Sequence, residues 1–274
     1  MKTGKMVGAL VAATALCAFW AAPGAAQGVD RLYVLQCGQG HAGDLSRWTP
    51  GLNVGTPVDV VDNCYLVHHA QGYLLWDTGI TEAAAAKPEG IAGQNGAPDW
   101  KLAKTQTAQL AEIDVKPSDI KYVAVSHTHP DHIGNVELFP QAMLLVQKAE
   151  YEWPTPFGAG RFKPEHPVTK LEGDHDVFGD GSVTIISTPG HTPGHQSLVV
   201  KLPKTGTVVL SGDAVHFTGS WENRRVPAGN VDKEKTLASM QRIADLLAQT
   251  HGQLWINHDK PQGDAQKHLP QYYD

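Results

Sequence analysis

Residues 126–132 read Ser-His-Thr-His-Pro-Asp-His and follow directly on the apolar, strand-like run Tyr-Val-Ala-Val at 122–125. A strand end holds the chain extended, so His127 and His129, two apart, point to the same side. Asp131 and His132 lie on the turn that follows and can aim at a second point a few ångström away. One metal ion takes about three protein ligands and keeps an open position. Four donors on one loop therefore imply two ions, and a framework that brings other loops to meet them. A polar surface loop that is merely rich in histidine is the alternative reading. The rest of the chain argues against it, because further donors occur at matching places.

Three segments supply them. His191 and His195 lie in Thr-Pro-Gly-His-Thr-Pro-Gly-His at 188–195, after the run Val-Thr-Ile-Ile at 183–186. Asp213 lies in Ser-Gly-Asp after Thr-Val-Val-Leu at 207–210, and His258 in Asn-His-Asp after Leu-Trp-Ile at 254–256. Each is a short β-rich run ending in a turn that bears His or Asp. All candidate ligands are thus expected at strand ends along one edge of a sheet framework, held by a rigid scaffold while the loops stay free to vary.

Strand-like runs occur at 31–36, 59–68, 73–76, 121–125 and 142–147, and again at 183–187, 197–202, 207–210 and 253–256. A helical pattern spans 99–113, with Leu102, Ala108, Leu110 and Ala111 on a modest apolar face. A clearer helix follows Asp232 as its N-cap, with Leu237, Met240, Ala244 and Leu247 on one side. Two strand groups with helices between them predict an α/β protein of two sheets packed face to face with helices outside. Candidate ligands come from both halves, which makes 27–274 one domain.

The first 26 residues read as a secretory signal. Lys2 and Lys5 precede an apolar centre over 7–20 and a small-residue site at 24–26. The apolar run is short of the ~20 residues of a membrane span. The mature protein is therefore expected in the periplasm or outside the cell, free of the membrane. Loss of the two lysines makes the formal charge of −6 more negative still. No basic cluster offsets it, which argues against nucleic acid as a partner. Cys37 and Cys64 remain. Cys37 ends one strand-like run and Cys64 begins the next, which leaves a disulfide and two buried free thiols both open.

The run His-x-His-x-Asp-His with His191, Asp213 and His258 resembles the metallo-β-lactamase superfamily of binuclear hydrolases. The chain looks most like its N-acyl-homoserine lactone lactonases, the quorum-quenching enzymes. Leu32-Tyr33-Val34, Asn63-Cys64-Tyr65-Leu66, Trp76-Asp77-Thr78-Gly79, the segment 188–197 and the final His258-Asp259 share in the resemblance. It implies an αβ/βα sandwich, two packed mixed sheets with helices on the outer faces. It also implies that His127, His129 and His191 hold one metal, that Asp131, His132 and His258 hold another, and that Asp213 bridges them. Imidazole and carboxylate without thiolate suit Zn²⁺, with Co²⁺, Mn²⁺ or Fe²⁺ able to take the same donors. A hydroxide between the ions would attack a lactone or ester carbonyl, and Asp131 would hand a proton to the leaving alkoxide.

Asp77 is expected to orient a histidine from behind, and His195 to be structural. Lactonases of this family often carry a tyrosine three residues after the bridging Asp, whereas this chain has His216. A neutral imidazole can donate the same hydrogen bond to the substrate carbonyl. His68, His69, His166, His175, His251 and His268 lack a partner motif and read as ordinary polar residues. The long connections 80–100 and 151–167, the latter with Trp153, Phe157 and Phe162, are candidate substrate loops.

Gly-x-Ser-x-Gly is absent, so a serine esterase has no support. A bridging Asp213 argues against a β-lactamase. The 16 residues after His258 leave no room for the extra helical domain usual in glyoxalase II. A flavodiiron protein would need Glu in place of His129. Organophosphate triester hydrolysis on the same site, and a metal-bound sequestering protein, stay as alternatives. Monomer and homodimer both remain open.

Overall fold

A computed structural model of the chain describes residues 28–93, 96–154 and 161–274, with Met1 and Gly4. Apart from those two residues, the segment 1–26 expected to be a leader lies outside the described residues, as does Phe157. Strands β1 (Val29–Ala42), β2 (Val58–His69), β3 (Gly72–Trp76), β4 (Asp99–Lys101), β5 (Ile120–Ala124), β6 (Met143–Gln147) and β7 (Val168–Leu171) form one sheet in the order β4-β1-β2-β3-β5-β6-β7. Strands β8 (His175–Asp176), β9 (Val183–Ser187), β10 (Gln196–Leu202), β11 (Gly206–Leu210) and β12 (Gln253–Trp255) form the second, ordered β12-β11-β10-β9-β8. Both are mixed. β1 to β3 pair antiparallel while β3, β5, β6 and β7 run parallel, and in the second sheet β12 lies parallel to β11. The α-helices are α1 (Gln106–Ala111), α2 (Pro130–Ile133), α3 (Lys148–Tyr151), α4 (Thr218–Glu222), α5 (Lys233–Thr250) and α6 (Lys260–Asp264).

The two-residue period of the strands divides the core. Leu32 and Val34 of β1 face inward against Ile185, Leu198 and Val208 of the second sheet. Tyr33 and Leu35, the alternate residues, pack outward with Leu110, Val136 and Phe139. On the other flank Ile243 and Leu247 of α5 cover Ile186, Val199 and Val209. The product is the expected α/β sandwich. Ile185 is fully buried between the sheets. Ile185→Ala should cost about 2–5 kcal/mol, because the layer above cannot collapse onto the gap. Urea unfolding with an unchanged slope checks this, and a loss well under that range would mean the sheets slide to refill the space.

Asp232 caps α5 as expected, its carboxylate accepting from Lys235 N at 3.0 Å. The helix expected over 99–113 is shorter. Asp99–Lys101 pairs with β1 instead, with Trp100 opposite Gly40. A Cβ on Gly40 would lie 2.8 Å from the Trp100 ring, so this glycine makes the slot the indole fills. Burial of that ring outweighs local helix propensity, and α1 begins only after Thr105, whose hydroxyl caps Ala108 N. β1 and β2 run beyond the expected 31–36 and 59–68, and β7 and β8 had no clear apolar pattern to announce them. Cys37 and Cys64 therefore lie inside strands rather than at their ends. Cys37 sits at a register shift between Gln36 and Gly38, its Cα 5.8 Å from that of Cys64, and the two are disulfide-bonded.

Candidate active site

The loops after β5, β9, β11 and β12 meet at one edge of the sandwich and carry every predicted ligand. Two groups of donor atoms form there, each within 4.8 Å: His127, His129, His191 and Asp213 in one, and Asp131, His132 and His258 in the other. Nε2 of His127 and of His191 approach Nδ1 of His129 to 2.8 and 3.1 Å. Asp213 stands between the groups. Its Oδ2 faces His191 at 3.3 Å and His127 at 3.6 Å, while its Oδ1 faces His258 at 3.1 Å and His132 at 3.4 Å.

The outward nitrogens are held by the protein. Asp77, just past the end of β3 in a left-handed conformation (φ 57°) that Asp tolerates, accepts from Ser126 N through Oδ1 and pairs with His132 Nδ1 at 3.0 Å through Oδ2. His258 Nδ1 donates to Val61 O at 2.8 Å, His191 Nδ1 meets Asn230 Oδ1 at 2.9 Å, and Ser126 Oγ lies 3.0 Å from His127 Nδ1. Each tether leaves the second ring nitrogen aimed at the centre. His132 Nε2 and Asp213 Oδ1 are buried there with no hydrogen-bond partner among the described residues.

Burial holds His127 and His191 well below the usual imidazole range, in the neutral form that offers a lone pair. Burial also works against charge on His258, yet the Asp213 carboxylate outweighs it and lifts the group to about 9. Burial would likewise raise Asp213, but the surrounding imidazoles pull it well below the carboxylate range. The centre is therefore a buried anion with the neutral lone pairs of His127 and His191 on one side and positive charge drawn onto His258 on the other, a field that favours cations. Free inward donors, tethered outward nitrogens and a field that attracts cations together fit a pair of divalent ions.

A family model for the metallo-beta-lactamase superfamily matches residues 58–250. The chain belongs to the metallo-β-lactamase superfamily. It is 31% identical over 260 residues to the N-acyl homoserine lactonase AttM of Azorhizobium caulinodans, covering 89% of this chain and 98% of that protein. It is 29% identical over 255 residues to the N-acyl homoserine lactonase AiiA of Bacillus thuringiensis subsp. kurstaki, covering 89% and 99%. Among solved structures it resembles an N-acyl homoserine lactone hydrolase with the product N-hexanoyl-L-homoserine bound at its catalytic metal center. The TM-score there is 0.79 at 28% identity, covering 89% of this chain and 99% of that one. The hydrolase AbOPH, 20% identical with a TM-score of 0.58, shares the fold.

The surroundings of three further histidines of this superfamily member emerge only in the fold. His216 is buried at 3% exposure; Trp48 packs beside it and against Phe217, and its Nε2 lies 3.1 Å from Asp213 Oδ2. His69 is no ordinary polar residue: it is buried, stacks on Phe178 at 4.0 Å and pairs with Asp180. His195, read as structural, is fully buried; its Nδ1 donates to Thr188 O and its Nε2 accepts from Asp213 N at 2.9 Å. Burial lowers it to about 3, so it stays a neutral acceptor. Sequence reasoning missed Asn230 and Trp48. Both lie on loops with no local pattern, and only the folded chain brings them to the site.

Proposed function

We propose that this chain is a binuclear metal-dependent hydrolase that opens the lactone ring of N-acyl-homoserine lactones. The observation that carries the reading is Asp213, whose two carboxylate oxygens face two different histidine groups. Zn²⁺ is the proposed ion for both positions, because borderline imidazole donors joined by carboxylates, without thiolate, suit it. When bound, such ions supply Lewis acidity and lower the pKa of a water toward about 7. The lactone substrate is supported by the relatives named above, whose alignments cover 89% of this chain.

The protein's own groups divide the remaining work. His127, His129 and His191 would hold the first ion, Asp131, His132 and His258 the second, and Asp213 would span both. Asp77 fixes the His132 ring by accepting a hydrogen bond from its Nδ1–H. Asp131 keeps a side chain 21% exposed beside His258, against 5% for Asp213. It is thus the carboxylate of the cluster with solvent access, and in this reading it delivers a proton to the departing alkoxide. His216 donates to the lactone carbonyl. Trp48 and Trp100, packed near His216 and His258, wall the site on that side. Export by the leader at 1–26 belongs to the same proposal, and sequencing the N-terminus of protein recovered outside the cytoplasm tests it.

The test is a parallel rate measurement on short- and long-chain acyl-homoserine lactones and on paraoxon, with metal-quantified protein. Lactone turnover with a clear margin over paraoxon is expected. The reverse order would make the chain a phosphotriesterase, and no turnover of any ester would leave a metal-sequestering protein. Elemental analysis after gentle purification should give close to two ions per chain. A fully active enzyme with one ion, and no gain on adding more, would remove the binuclear reading.

A further inference from the structure

Glu150 of α3 is a fully buried carboxylate that belongs to neither ligand group. Its Oε1 accepts from Thr128 N at 2.8 Å and Thr128 Oγ1 at 2.7 Å, and its Oε2 accepts from Gly194 N at 3.0 Å. Thr128 stands between His127 and His129. Gly194 lies on the turn that carries His191. One side chain therefore ties the loop after β5 to the loop after β9. The approach is close: a Cβ on Gly194 would lie 2.3 Å from Glu150 N, so this position admits no side chain without a shift. Arg161 closes the assembly, its guanidinium donating to Thr128 Oγ1, Glu150 O and Trp153 O. The carboxylate thus has three donors and a neighbouring cation to offset its burial.

We infer that Glu150 is a positioning residue that sets the spacing of the two histidine loops, and through it the affinity of the first metal position over the second. The inference rests on the binuclear reading above. The first position draws His127 and His129 from one loop and His191 from the other, so its donors separate if the tie is lost. The second is braced elsewhere, His132 by Asp77 and His258 by Val61 O. Asp213 is held through its N–H by His195, which follows Gly194 on the same loop but has its own anchor on Thr188 O at the end of β9. A merely structural Glu150 would weaken both positions together or neither.

Glu150→Gln keeps the shape and turns one acceptor into an NH₂ group that faces a donor. The full chain is titrated with zinc against a chromophoric chelator. Cadmium NMR then tells the three-imidazole position from the one that contains Asp131. The parent should bind two ions. In the variant the first position should weaken about 10–100-fold, the range for losing an outer partner of a metal ligand, with the second unchanged. Equal weakening of both, or of neither, overturns the inference. A parent that binds fewer than two ions overturns the binuclear reading instead. If Glu150→Gln does not fold, Thr128→Val decides. It keeps the amide and removes the hydroxyl's contacts with Glu150 and Arg161, and it should weaken the first position several-fold. A Thr128→Val chain with both affinities unchanged would be equally fatal.

Discussion

Asp213→Asn should lower kcat/KM by more than about 100-fold, since losing even an outer partner of a metal ligand costs about 10–100-fold. The carboxylate stands between the two histidine groups with one oxygen toward each. Two cations a few ångström apart repel, and a single negative charge between them offsets that repulsion. An amide of the same shape carries no charge, and its NH₂ face donates where a lone pair is required. Ion content should fall along with rate. Rates near those of the parent, with two ions still bound, would show that Asp213 does not bridge.

His216→Ala should lower kcat/KM by about 10–1000-fold, the scale of losing one oxyanion donor or somewhat less. The ring's Nε2 is turned to the centre, 3.1 Å from Asp213, and Nδ1 is buried with no partner among the described residues. In the proposed enzyme, a donor at that place would reach the carbonyl oxygen of a lactone drawn to the same centre. Ion content should not change, and His216→Tyr should keep much of the activity, because a phenol hydroxyl can make the same bond. An alanine variant as fast as the parent, or one that has lost an ion, would disprove the donor role.

Much of this was legible in the chain itself. The donor loops are local in sequence, and each is announced by the apolar strand before it, so their edge location followed from pattern alone. Asp77 was legible for the same reason, at the end of Leu74-Leu75-Trp76. What escaped depends on contacts far apart in the chain. Asn230 meets His191 across 39 positions, and Glu150 meets Gly194 across 44. Neither partner carries a local mark, because an amide or a glutamate before its partner is known is simply a polar residue. Asp99–Lys101 was misread as helix because its strand pairing is decided by a slot in β1, which no window around Trp100 contains.

The donors do not come from one layer. His127, His129, Asp131 and His132 follow β5 of the larger sheet, whereas His191, Asp213 and His258 follow β9, β11 and β12 of the smaller. Each proposed ion therefore joins the two layers, like a rivet through both plates at the open rim of the sandwich. Any species that binds the folded chain and not the unfolded one deepens the native well, by about 4 kcal/mol at a free concentration a thousand times its dissociation constant. Catalytic readiness and resistance to unfolding are thereby set by one quantity, the local supply of metal. In the proposed enzyme, a chain starved of ions would lose its nucleophile and its rim fastening in the same event.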